Sequence, residues 1–165
     1  MLLKNNISKA SLNIQKSIAI AGSVFIVLGV SCGAFFRYVL GISFHGLEEL
    51  LVIASFWLYF SGASYASYKN KHIRAEVFSI YCTQPTLRHL VAIFASLITT
   101  SLSILYSFWG WEFLIWSIDA GGQTTRLQIP LAIGHSAVFF GFSLMSCYFL
   151  LELLQKAKEF YYLKK

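Results

Sequence analysis

Charge is scarce in this chain: only 12% of its residues are Asp, Glu, Lys or Arg, against about 25% in a typical soluble domain. Proline occurs twice, at Pro85 and Pro130, so long stretches are free of the residue that most strongly interrupts a helix. The three cysteines, Cys32, Cys82 and Cys147, lie far apart with no C-x-x-C pair. That gives a zinc or dithiol site little support and leaves them as small apolar packing residues. His45, His72, His89 and His135 contain no i, i+4 pair, and haem would need histidines facing each other at matched depth. No Walker motif, glycine-rich nucleotide fingerprint or nucleophile elbow occurs, and no nucleophile–base set can be assembled at one depth. The first apolar run has no mid-span glutamate, and no discontinuous hydrophobic pair marks a substrate site within this chain.

What is present in abundance is apolar. Hydrophobic residues make up 57% of the 165, and the mean hydropathy is +0.65. Four runs stand out, at about 17–38, 47–68, 90–118 and 129–154, each long enough for a membrane-spanning helix. The chain is read as one all-α membrane domain over residues 1–165, with four transmembrane helices. The third run exceeds the hydrocarbon thickness, so it is expected to tilt or project into the interface. The first run, from Ser17 to Phe36, is longer than a signal-peptide core and lacks a convincing cleavage site, and so reads as a retained helix. Pro130 sits where the last helix would begin, a position at which its missing N–H is not needed, and Gly121-Gly122 marks the turn before it.

The few charges flank the apolar runs. The net charge of +6 therefore does not read as a nucleic-acid surface, which would need a basic stripe with exposed aromatics. If the N-terminus is cytoplasmic, eleven of the thirteen lysines and arginines fall inside, leaving only Arg37 and Arg126 outside. The positive-inside rule then places both termini in the cytoplasm. Between spans two and three, Ile73, Val77, Ile80 and Tyr81 follow helical spacing, the pattern of a short helix lying on the cytoplasmic interface. Trp109, Trp111 and Trp116 at one end, and Tyr65 and Tyr68 at the other, fit the aromatic belts at headgroup level.

Candidate functional residues come from the ionisable and small side chains. Arg37, Glu48 and Glu49 lie near the outer surface, where an Arg37–glutamate ion pair would lower the cost of holding either charge at the membrane edge. Glu112 reads as an edge residue reaching water or a buried partner for a cation, and Glu152 as a snorkelling or solvated residue. Gly29 and Gly33 form a G-x-x-x-G pair, and Ser61, Gly62, Ala63, Ser64, Ala66 and Ser67 form a small-residue stretch in the second run. Both are surfaces on which helices pack.

The ordered set F-F-R-Y-V-L-G-I-S-F-H-G-L-E-E-L, F-W-L-Y-F-S-G-A-S-Y-A and K-N-K-H-I-R-A-E resembles the small membrane (DctQ-like) subunit of tripartite ATP-independent periplasmic (TRAP) transporters. Arg37, Glu48, Glu49, Gly62, Ala63, His72 and Ile73 match in order, as do Gly122-Gln123-Thr124 and Leu127-Gln128-Ile129-Pro130 before the last span. His135 stands where that family often has an aromatic residue. The resemblance implies a non-enzymatic scaffold subunit for sodium-coupled uptake of an organic acid such as a dicarboxylate or sialic acid. Its implied partners are a large elevator-type membrane subunit, a periplasmic substrate-binding protein and membrane lipids. No cofactor is expected on this chain, and the sodium sites are expected on the large subunit. Arg37, Glu48, Glu49, Gly62, His72, Gln123 and Pro130 are the expected structural or subunit-contact residues. The alternative is a membrane-anchor subunit of a redox complex.

Overall fold

The computed structural model describes residues 6–42, 45–69 and 85–163. The stretch 73–82, expected as an interfacial helix, and His72 lie outside the described residues. Among the described residues four helices carry the fold: α1 (Asn6–Val39), α2 (His45–Tyr68), α3 (Pro85–Asp119) and α4 (Ala132–Leu163). Each contains a segment long and apolar enough to cross a membrane, as expected of an all-α multi-pass protein. The 35 residues of α3 span roughly 52 Å at about 1.5 Å per residue, beyond the roughly 30 Å of a hydrocarbon core.

Glycines in the left-handed conformation follow two of these helices. Gly41 (φ 66°) and Gly121 (φ 60°) follow α1 and α3, the position where absence of a Cβ lets the chain reverse cheaply. After Gly41 the Ile42 N–H reaches back to the Phe36 carbonyl at 3.1 Å. α4 begins at Ala132, so Pro130 precedes the helix instead of opening it, and its carbonyl accepts the Ile133 N–H at 3.1 Å.

The helices form a layer in the spatial order α1, α2, α4, α3, with packed seams between α1 and α2, α2 and α4, and α3 and α4. The pairing of residues gives the directions. Gly22, Gly29 and Gly33 of α1 meet Leu58, Leu51 and Leu47 of α2, so those two run antiparallel. Gly134 meets Ile53 and Phe56, while Gly141 meets Phe60, so α2 and α4 run parallel at the centre. Ser117–His135 and Ser107–Ser143 hydrogen bonds, both 2.8 Å, set α3 antiparallel to α4. The beginning of α1 and the end of α4 therefore share one end of the layer. The loop joining α3 to α4 lies at the other.

The G-x-x-x-G pair of α1 thus packs against leucines of α2. Gly62 behaves differently: among the described residues nothing lies within 4 Å of where its Cβ would stand.

The interior inverts the pattern of a soluble protein. Among the described residues the buried hydrophobic side chains are Leu12, Ala137 and Met145, whereas Gln15, Glu152, Ser61, Ser64, Ser67, Ser96, Thr100, Ser103 and Ser117 are buried and polar. Small hydroxyl residues let backbones approach, and their hydroxyls bond to the preceding turn, as Thr100 does to the Ser96 carbonyl at 2.7 Å. Large apolar side chains instead cover the outside, the arrangement that suits a lipid solvent.

Candidate functional site

The best-built polar feature is the α3–α4 loop and the carboxylate that holds it. Gly121 reverses the chain, and an antiparallel bridge joins Gln123 to Pro130. The Thr124 N–H donates to the Ile129 carbonyl at 2.9 Å, the Leu131 N–H to the Gly122 carbonyl at 2.9 Å and the Gln128 N–H to the Thr124 carbonyl at 3.1 Å. The Thr124 hydroxyl oxygen accepts the Ile129 N–H at 3.1 Å. Closing the turn places Gln128 at φ 54°, a conformation that costs an L-residue free energy.

Two amides at the loop tip find their acceptors on α2. Glu49 accepts the Arg126 N–H on Oε1 at 2.7 Å and the Leu127 N–H on Oε2 at 2.9 Å. Leu127 also lays its side chain over Gly46, where an added Cβ would stand 3.2 Å from Leu127 Cδ2. One carboxylate and one glycine in the first turns of α2 therefore fix the loop's position. This differs from the expected Arg37–glutamate ion pair: among the described residues no ion pair joins Arg37 to Glu48 or Glu49. Backbone amides offer fixed, closely spaced donors, so one carboxylate satisfies two groups that have no partner within the loop.

Arg37 and Glu48 are exposed and line a groove of about 280 Å³ between α1 and α2, floored by Gly29, Gly33 and Leu51. Gln123 and Pro130, expected as separate candidates, are the two partners of the loop bridge. Glu112 is exposed on α3. His135 packs its ring against Phe113 at 4.4 Å and Phe56 at 5.9 Å, filling an aromatic position while its Nδ1 meets the Ser117 hydroxyl.

A second polar node, near the opposite end, escapes a reading that begins the first span at Ser17. Gln15, 4% exposed, donates from Nε2 to Ser11 Oγ at 3.1 Å and to the Tyr148 hydroxyl at 2.9 Å. Its Oε1 lies 3.1 Å from the Ser64 hydroxyl, which shares its proton with the Ser61 carbonyl at 2.9 Å. One amide thus ties α1 to both α2 and α4. The available signal was slight: Gln15 follows Leu12 and Ile14 and precedes the apolar run, but Asn13 two residues earlier is a carboxamide as well. Glu152 is also buried instead of solvated, and pairs with Lys156 one turn on at 2.6 Å. No group of three or more potential metal ligands occurs among the described residues.

These features describe a membrane plate tied together by polar contacts at both ends. A comparison with curated proteins finds no match. Residues 26–159 match the family described as tripartite ATP-independent periplasmic transporters, DctQ component, a span that takes in the C-terminal part of α1, all of α2 and α3, most of α4, the groove and the clamped loop. The chain belongs to the DctQ component family of tripartite ATP-independent periplasmic transporters.

Proposed function

We propose that this chain is the static scaffold beside the large membrane subunit of a sodium-coupled transporter that takes up an organic acid, a dicarboxylate, sialic acid or similar carboxylate. The observation that carries the reading is the interlocking of the layer. Glycines seat leucines or phenylalanines between α1 and α2 and between α2 and α4, Gln15 ties three helices, and Glu49 pins the loop. Such a plate resists shear, and a fixed wall of that kind gives a moving transport domain something to move against. Substrate and sodium would bind on the large subunit. The family match lends no support to a redox-complex anchor.

In this reading both termini face the cytoplasm of the bacterial inner membrane, and the α3–α4 loop faces the periplasm. Arg126 and Asp119 then lie on the side from which a binding protein would arrive, and docking would weaken with salt. Uptake by proteoliposomes containing the large subunit, with a sodium gradient and the binding protein, is the test. It is expected to require this chain; transport undiminished in its absence would remove the scaffold role.

A further inference from the structure

The two faces of α2 that meet α1 and α4 leave a third one open. Leu47, Leu51 and Leu58 meet α1, and Ile53, Phe56 and Phe60 meet α4. At roughly 100° per residue, as 3.6 residues per turn require, a separate line of residues runs down the remaining face. It consists of Glu48, Val52, Ser55, Tyr59, Gly62 and Ala66. Their spacing alternates four and three, the repeat of a helix–helix seam of knobs and holes. Glu48 is exposed, Val52 is 56% exposed and Tyr59 71%, and among the described residues nothing lies within 4 Å of a Cβ at Gly62.

Lipid tails do not complement this line. Tyr59 lies near the middle of the spanning segment Gly46–Tyr68, and its hydroxyl has no hydrogen-bond partner among the described residues. A hydroxyl without a partner is strongly disfavoured in hydrocarbon, and at that depth neither headgroup layer is close. The hydroxyls of Ser55 and Ser61 are satisfied by carbonyls of their own helix. Tyr106, also in a spanning segment, differs in having its ring held against Phe142 and Trp109. Toward the loop end the line terminates in the Glu48 carboxylate, which forms no ion pair among the described residues.

We infer that the line Glu48–Val52–Ser55–Tyr59–Gly62–Ala66 is the seat of a transmembrane helix from the large subunit. That helix would bring a basic side chain to Glu48 and a hydrogen-bond acceptor to Tyr59, roughly 16 Å further along the axis, with a bulky apolar residue filling the hole over Gly62. The charge and polarity of the seam complement a helix of that composition and not an acyl chain. The assignment rests on the scaffold reading above and names the surface through which it operates.

The test is co-purification of the large subunit with this chain, tagged, from membranes solubilised in mild detergent. Gly62→Leu is expected to lower the retained partner on the order of tenfold by blocking the hole. The elution volume and melting temperature of the isolated chain should stay as in wild type, because the added side chain meets open space within it. Tyr59→Phe should give a smaller loss, and a photoreactive residue at position 59 should crosslink to the large subunit. Val27→Trp, at an exposed position on α1, should retain wild-type amounts. Wild-type retention by Gly62→Leu together with crosslinking from residue 59 to lipid alone, or to a second copy of this chain, overturns the inference. If the wild-type chain itself retains no large subunit, the scaffold reading fails and takes the seam assignment with it.

Discussion

Phe60 of α2 occupies the space that a side chain at Gly141 of α4 would need: an added Cβ would stand 2.6 Å from Phe60 Cβ and 2.8 Å from Cδ1. The closest atom belongs to the base of Phe60, held by its own backbone, so neither residue yields without moving a helix. At Gly29 the conflict has similar closeness and a different character, since the atom 2.7 Å away is Leu51 Cδ2, the tip of a rotatable chain.

Gly141→Ala should therefore destabilise the chain by about 1–3 kcal/mol, the range for overpacking, and Gly29→Ala by distinctly less. Thermal unfolding in detergent compares them directly. Equal losses would show that Leu51 is as immovable as Phe60.

Glu49→Ala should free the loop tip without unfolding the helices. Hydrogen exchange at the Arg126 and Leu127 amides should accelerate, while the Leu131 amide, bonded to the Gly122 carbonyl, stays protected. Glu48→Ala should leave both tip amides as slow as in wild type. Unchanged exchange in Glu49→Ala would show that the loop holds itself.

Gly121→Ala should cost about 1–2 kcal/mol, because φ 60° disfavours any residue with a Cβ. Gln128→Gly, at φ 54°, should remove strain of that kind already present and raise the melting temperature. A fall in that temperature would mean that the Gln128 side chain contributes more than its backbone costs.

Gln15→Ala and Ser64→Ala should be non-additive. Each breaks the same three-helix node, and intramembrane hydrogen bonds measured by double-mutant cycles couple by about 0.6 kcal/mol. Strict additivity would show that the two side chains act independently.

The proposed orientation has its own measurement. In a cysteine-free background, Thr125→Cys should react with a membrane-impermeant maleimide on spheroplasts, which expose the periplasmic face, whereas Lys158→Cys should react only after permeabilisation. The reverse pattern would invert the topology.

The four spanning helices were legible because a bilayer imposes its demand on composition, and composition is read residue by residue. The packing order was less accessible. Gly29 and Gly33 announce a close approach, but no feature of either names Leu51 or Leu47 as the neighbour. Glu49 was singled out for its charge, with either it or Glu48 expected to meet Arg37; its partners are main-chain amides, which every residue except proline carries and which leave no trace in the side-chain alphabet. Pro130 was sound punctuation displaced by two residues, because the bridge to Gln123 holds it in the loop. Gln15 was hidden by its place beside Lys16, where a polar residue reads as tail.

The parallel pairing of α2 with α4 carries a consequence for biogenesis. α3 is the next described helix after α2, yet α4, which is made after both, lies between them. The α1–α2 hairpin can close as soon as it enters the membrane, whereas α3 must wait at the edge with Ser103, Ser107 and Ser117 uncovered by α4. Truncation before Ala132 would leave α3 without the helix that receives the Ser107 and Ser117 hydrogen bonds. α4 is thus the keystone of the layer, the one element among the described residues through which α3 is joined to the α1–α2 hairpin.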